Sequence, residues 1–295
     1  MELLNQISAF YAGVPMANLI LAPALLTLIA YFCFKKRDEL SLHAFRNTAA
    51  TVIVVGLNLA AAFLFANDIS AALQRGFAAL HVPTLPADFW DGTPLWLIAI
   101  LGIIARDFAD YWNHRLMHMT WMWPCHAAHH SDTHVNAFTH FRVHFLESLV
   151  MSASYIILLS WLQMPAAIPI VFMFAHLHNL YVHMDLPFRH GPFKLLIASP
   201  VFHRCHHADV EAAYGKNLAA VIPAWDAMFG TYYSDEACDA PMGALKTGLA
   251  DTNPFLIYVY PFQEWARLVK SRILAPLRAR RHGGTPPSQR RSVSD

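Results

Sequence analysis

Residues 110–130 read DYWNHRLMHMTWMWPCHAAHH and carry two histidine clusters with helical spacing; residues 203–207 (HRCHH) repeat the second pattern. Side chains three or four positions apart lie on the same face of a helix. Eight histidines fall in the three clusters: His114 and His118; His126, His129 and His130; His203, His206 and His207. Pro124 and Pro200 precede the second and third clusters, as is typical of a helix start. Each cluster, here called a histidine box, is therefore predicted to form the turns of a helix that points its rings inward.

Imidazole rings gathered in this way indicate a metal site. Neutral imidazole binds iron, zinc, copper and nickel. Eight rings exceed the roughly three or four protein ligands of a usual zinc site. They are enough for two neighbouring metal ions with coordination positions left open, so the sequence predicts a dimetal site.

Composition separates the chain from most soluble proteins. Charged residues make up 14% of its 295 residues, against about 25% in a typical soluble domain. Hydrophobic residues make up 56%, and the formal net charge is +1. Disordered proteins and nucleic-acid binders both need more charge than this. The composition instead indicates a protein whose surface largely meets lipid.

Five apolar runs are long enough, or nearly so, to cross a bilayer. They lie at 15–34, at 48–66, from Pro94 onward, at 145–161 and at 165–182. The predicted fold class is all-α integral membrane, with about four to five transmembrane helices and a cytosolic helical cap that holds the histidine-rich dimetal site. The last two runs are separated by three residues, which predicts a transmembrane hairpin over 145–182.

Basic residues set the predicted orientation. The loop between the first two runs holds Lys35, Lys36, Arg37 and Arg46, which places it in the cytoplasm. Counting crossings then puts the histidine boxes on the cytoplasmic side. The bias towards arginine over lysine favours a bacterial inner membrane, with the endoplasmic reticulum as the alternative.

The predicted organisation has four parts. Residues 1–92 are N-terminal membrane helices, and 93–253 are the histidine-box catalytic region. Residues 254–278 form an interfacial C-terminal helix, for which packing against the cytosolic part of the protein is the alternative. Residues 279–295 are a disordered basic tail.

From Asp107 to Tyr232 the chain resembles the fatty acid hydroxylase superfamily, which includes sterol desaturases and membrane lipid hydroxylases. Besides the boxes, the likeness rests on 110–115 (DYWNHR), on Arg142 and Glu147, and on 225–232 (WDAMFGTY). The resemblance implies nine metal ligands: His114, His118, His126, His129, His130, His183, His203, His206 and His207. It also implies two Fe ions, for which Zn can substitute in purified protein, and O2 as cosubstrate.

The activity expected from the resemblance is O2-dependent hydroxylation of a C–H bond in a lipid, such as a fatty acyl or sterol substrate. Desaturation on the same site is the alternative, and a metal transporter is the weaker one, because transporter sites usually lie at the membrane midplane. No cysteine set suits an iron–sulfur cluster. Electrons are therefore expected from an external donor, a ferredoxin or a cytochrome with its reductase.

Several residues near the boxes have open roles. His176 and Asn179 share a helical face with His183, so either could complete a coordination shell, whereas His178 faces elsewhere. His134, His140 and His144 are expected to be structural or to support a ligand. Asp107 and Asp110 could accept a hydrogen bond from a ligand ring or pair with an arginine. Arg142 and Glu147 are expected to form a buried pair.

Overall fold

The computed structural model describes residues 24–30, 33, 41–81, 84–86, 88–164, 167–233 and 240–274. Within these residues the chain is helical and has no β-strand. A single isolated antiparallel bridge joins Ala208 and Met242. The all-α fold class is therefore confirmed for the described part of the chain.

In the described part of the chain, eight α-helices follow the short helical stretch at 24–30: α1 Leu42–Ala79, α2 Leu95–Met117, α3 Trp123–His130, α4 Phe145–Leu162, α5 Ile168–His183, α6 Pro200–His207, α7 Ala224–Phe229 and α8 Pro254–Leu268. Ser41, Ser199 and Asn253 cap α1, α6 and α8 by accepting a backbone N–H with their side chains. A short 3₁₀ turn, Ala137–Phe141, lies between α3 and α4, and a π-helical turn, Val269–Leu274, follows α8.

The later apolar runs coincide with helices α1, α2, α4 and α5. Among the described residues, one stretch, Leu42–Ala61 in α1, meets the length and composition expected of a membrane-crossing helix. The predicted run at 15–34 lies mostly outside the described residues, and the tail at 279–295 lies wholly outside them. The number of spans and the four-part organisation stay predictions.

Helix α2 packs against both α4 and α5. Gly102 allows the close approach to α5, because a Cβ atom there would lie 2.8 Å from Cγ2 of Val171. Around this contact Ile98 and Ala99 pack with Met164 and Val171 in a buried apolar cluster. These contacts fix the helix that carries the first histidine box relative to the helix that ends at His183.

Arg142 fastens α1 to the segments around the boxes. Its fully buried guanidinium donates to Oδ1 of Asn47 at 3.0 Å, to Oγ1 of Thr51 at 3.2 Å and to Oγ of Ser131 at 3.1 Å. It also donates to the backbone carbonyl of Asp251. The expected pairing of Arg142 with Glu147 is therefore wrong, since the hydrogen bonds of Arg142 are directed to α1 and to the loops beside it.

Candidate metal centre

All nine predicted ligand histidines come together in one cluster, in which His114 and His118 are half-buried and the other seven are buried. His114 lies in the last turn of α2 and His118 caps that helix, α3 supplies three, the last residue of α5 supplies one and α6 supplies three. Their ring nitrogens form two groups, each with all of its ligand atoms within 4.8 Å of one another. The five-histidine group is His114, His118, His126, His130 and His206. The four-histidine group is His129, His183, His203 and His207.

The four-histidine group converges through its Nε2 atoms. Nε2 of His183 lies 2.9 Å from Nε2 of His203 and 3.3 Å from that of His129, and Nε2 of His207 lies 3.2 Å from that of His203. Metal–nitrogen bonds of ~2.0–2.1 Å at angles near 90–110° put neighbouring nitrogens ~2.9–3.4 Å apart. The spacing therefore fits one metal ion.

The five-histidine group fits a second ion. Nε2 of His114 lies 3.0 Å from Nε2 of His126. The Nε2 atoms of His118, His130 and His206 are buried and have no hydrogen-bond partner among the described residues. Buried polar atoms rarely go unpaired. A metal ion in this group would give all three a partner.

The two groups touch each other. The ring of His207 lies 4.7 Å, centroid to centroid, from His130 of the other group, and His126 stacks on His129 at 5.3 Å. His203 and His206 are stacked at 5.4 Å. The cluster is thus continuous, as two neighbouring metal ions would require.

Backbone carbonyls orient three of the rings. In each case Nδ1–H donates to a carbonyl oxygen: His114 to Leu218 at 2.7 Å, His206 to Lys216 at 2.8 Å and His183 to Asn179 at 2.6 Å. Because a carbonyl oxygen only accepts, Nδ1 carries the proton and Nε2 keeps the lone pair that binds metal. This is the usual support of a metal-ligating histidine.

Glu147 supports a fourth ring, a role that the sequence reasoning missed. Its Oε1 accepts a hydrogen bond of 2.7 Å from Nδ1 of His126, and both side chains are buried. The available signal was a carboxylate in the first turn of the apolar helix α4. Such a buried carboxylate needs a specific partner.

Two aspartates hold the loop that carries the carbonyls of Leu218 and Lys216. Asp226 accepts from the backbone N–H groups of Leu218 and Ala219 at 2.7 and 2.9 Å. Asp107 accepts from those of Val221 and Ile222, both at 2.8 Å. Asp107 also accepts from Nε1 of Trp225 at 3.1 Å, so its hydrogen bonds are to this loop and to α7, rather than to a ligand ring.

Asp110 matches one of the alternatives left open for it. It pairs with Arg106 at 3.5 Å and accepts a hydrogen bond from the hydroxyl of Tyr155. Arginine pairing, and not support of a ligand ring, is the role that these contacts give it.

Burial sets the protonation of the boxes on α3 and α6. Desolvation, followed by repulsion from neighbouring imidazoles, lowers the pKa of His126, His130, His203 and His207 well below its usual value. These rings are therefore neutral at pH 7. Neutral imidazole is the form that binds metal.

The neighbouring residues with open roles take up different positions. His176 hydrogen-bonds through Nδ1 to Nε2 of His140 at 3.2 Å. The side chain of Asn179 donates to the carbonyl of Ala175, and its own carbonyl serves His183. His178 is buried and stacks on Phe174.

His144 has a structural role in the cap of α4. Its Nδ1 accepts from the backbone of Leu146, and its Nε2 hydrogen-bonds with the carbonyl of Tyr258 in α8. These bonds join the start of α4 to α8. These hydrogen bonds agree with the expectation that His144 is structural or supports a ligand.

A cavity of about 340 Å³ reaches the five-histidine group. Its lining includes His118, His130 and His206 together with Trp123. Asp209, Tyr214 and Lys246 add polar groups to the wall. A molecule in this cavity would lie beside three of the rings.

Comparison with known proteins matches residues 99–231 to the fatty acid hydroxylase family. Relatives include alkylglycerol monooxygenase of Danio rerio, 29% identical over 63% of this chain and 41% of the relative. The human alkylglycerol monooxygenase is 31% identical over 50% of the chain and 32% of the relative. Ornithine lipid hydroxylase OlsE of Rhizobium tropici is 29% identical over 68% of the chain and 60% of the relative.

The chain thus spans between about a third and three fifths of the length of these relatives. No solved structure matches the chain. The matched region contains the first two boxes, His183, the third box and the loop with Leu218, so the family likeness and the histidine cluster coincide.

Proposed function

We propose, because residues 99–231 match the fatty acid hydroxylase family, that the chain is a membrane-bound oxidoreductase that uses O2 to hydroxylate a C–H bond of a lipid. One observation carries the proposal. Nine histidines from four helices converge into two touching groups, and four of their rings are oriented by a hydrogen bond from Nδ1.

The proposed cofactors are two iron ions, one in each histidine group. Bound iron supplies the one-electron O2 chemistry and hydrogen abstraction that no amino-acid side chain performs. Because zinc also binds imidazole, it can occupy the same groups in purified protein.

The chain's own residues would hold the metal ions and orient the rings that bind them. The Nδ1 hydrogen bonds fix four rings, so the ions would meet ligands that are already aimed at them. Burial of the boxes excludes bulk water from the reacting centre. The cavity beside His118, His130 and His206 is the proposed position of the substrate segment that reacts.

The substrate we propose is a lipid with a polar head and an alkyl chain. The relatives are named for alkylglycerol and ornithine lipid, and both names denote addition of oxygen. The wall of the cavity combines Trp123 with the polar Asp209, Tyr214 and Lys246, which suits the region where a polar head joins a chain. Desaturation on the same site is the alternative outcome.

The proposed setting is the membrane, with the boxes on its cytoplasmic side. Leu42–Ala61 is one proposed span, and α2, α4 and α5 complete the membrane core. In α8 the side chains of Phe255, Val259 and Phe262 are exposed along one face. This exposed face supports the proposal that α8 lies in the headgroup layer.

Electrons must come from outside the chain. The proposed donor is a ferredoxin or a cytochrome with its reductase, which would dock on the cytoplasmic face. Bacterial inner membrane is the proposed location, with endoplasmic reticulum as the alternative.

The test is lipid analysis of cells with and without the gene, in isotopically labelled O2. Hydroxylation predicts a lipid that gains one labelled oxygen atom, whereas desaturation predicts one that loses two hydrogens. Cells that express His206→Ala serve as the inactive control. The proposal is refuted if the gene leaves the lipids unchanged although the expressed protein contains iron and an electron donor is supplied.

A further inference from the structure

A third group of potential metal-binding side chains lies apart from the nine ligand histidines. His43 is in the first turn of α1, His134 follows α3, and Asp251 precedes α8. One ligand atom from each lies within 4.8 Å of the others. These residues are 91, 117 and 208 positions apart, so the fold alone brings them together.

Contacts within this group are close. Nε2 of His43 lies 2.8 Å from Oδ2 of Asp251, and the rings of His43 and His134 are 5.0 Å apart, centroid to centroid. That ring separation is within the range found inside the box groups, where His114 and His118 are 5.2 Å apart. The side chain of Asp251 is 14% exposed, against 52% for His43.

The carboxylate of Asp251 is held in place by its surroundings. Nδ2 of Asn47 donates to Oδ2 at 3.0 Å, and the hydroxyl of Thr133 donates to the same oxygen at 2.5 Å. Arg142 donates to the backbone carbonyl of Asp251 and leaves its carboxylate facing the two rings. Such a supporting layer is typical of metal-ligating carboxylates.

We propose that His43, His134 and Asp251 bind a divalent transition-metal ion, zinc in the first instance, at a site separate from the nine-histidine cluster. Two imidazoles and one carboxylate are a common set of three protein ligands for zinc. Tetrahedral zinc needs ligand atoms ~3.2–3.5 Å apart. The half-exposed ring of His43 can adjust to that spacing and leaves a fourth position open to water.

The ion would join α1 to the loop that follows the second box and to the loop that precedes α8. His43 and Asn47 belong to α1, whereas Thr133, His134 and Asp251 belong to those loops. Zinc would replace the direct hydrogen bond between His43 and Asp251, and it would join both of them to His134, whose Nδ1 now lies 3.1 Å from Oγ1 of Thr133. The ion would thus tie these segments together, and the proposal stands whether or not the proposed hydroxylase activity is correct.

The experiment measures zinc content of the full chain in detergent, without an affinity tag, after equilibration at fixed free zinc. The readout is the difference between the protein and its variants, which does not depend on how many ions the box histidines hold. His43→Ala and Asp251→Asn should each contain one zinc per chain fewer, with affinity for that ion about 100-fold weaker or more. His81→Ala, at another exposed histidine, should keep the full content.

Zinc should also raise the melting temperature of the protein, and less so in His43→Ala, since a ligand that binds only the folded state stabilises it. The proposal is overturned if both variants keep the zinc content of the unaltered protein. Loss of the same zinc in His81→Ala would overturn it as well, because the extra ion would then be bound non-specifically at the surface. If Asp251→Asn fails to fold, His43→Ala decides alone.

Discussion

Replacing Glu147 by alanine removes the acceptor that orients the ring of His126. The hydrogen bond between them is 2.7 Å long, and each side chain is 3% exposed, so the bond is shielded from bulk water. Without the carboxylate the buried Nδ1–H of His126 loses its acceptor, and an unsatisfied buried donor costs about 1–3 kcal/mol. At about 1.4 kcal/mol per factor of ten, the affinity for the ion in the five-histidine group should fall about 10- to 100-fold.

The assay is ferrous-iron binding under anaerobic conditions, in competition with a chelator of known affinity. Glu147→Gln should recover much of the loss, since the amide oxygen can still accept from Nδ1. Glu264→Ala is the matched control, because Glu264 pairs with Arg267 on the surface. Unchanged iron affinity in Glu147→Ala would refute the idea that this carboxylate orients a metal ligand.

Three further predictions concern the boxes and the helix packing. His129→Ala and His206→Ala should each abolish turnover and lower the metal content, whereas His190→Ala should change neither; full activity in either box variant would contradict the ligand assignment. Gly102→Ala should be less stable than Gly56→Ala by about 1–3 kcal/mol, because the added methyl group meets a neighbouring side chain at position 102 but not at position 56. Thermal unfolding in detergent measures the difference. The metal-free protein should lose stability as the pH falls from 7 to 5. Burial lowers the pKa of the box histidines on α3 and α6, so the unfolded chain takes up protons below about pH 6.5 while the folded boxes stay neutral. Each ring should lower the free energy of unfolding by up to about 1.4 kcal/mol for each unit by which the pH falls. Denaturant titrations that give the same free energy of unfolding at pH 7 and pH 5 would contradict this.

The histidine cluster could be predicted because its signal is local. Spacing of three and four residues puts His126, His129 and His130 on one face of α3 whatever the surrounding fold. Pro124 and Pro200 mark helix starts that the structure confirms. His183 was found through the family resemblance and not through spacing, since it stands alone at the end of α5.

The supports of the rings could not be predicted in the same way. Leu218 and Lys216 act through backbone carbonyls, which any residue possesses, so the sequence holds no sign of them. Glu147 was assigned to Arg142 because opposite charges suggest a pair. In the fold Arg142 donates hydrogen bonds to α1, whereas Glu147 on α4 accepts a hydrogen bond from His126 on α3.

Iron content of anaerobically prepared protein, with Mössbauer spectroscopy on the same sample, tests the dimetal centre most directly. Two irons per chain in nitrogen-rich coordination are predicted, one for each histidine group. Protein that stays folded but binds at most one iron, or none, after reconstitution with ferrous iron would contradict the account.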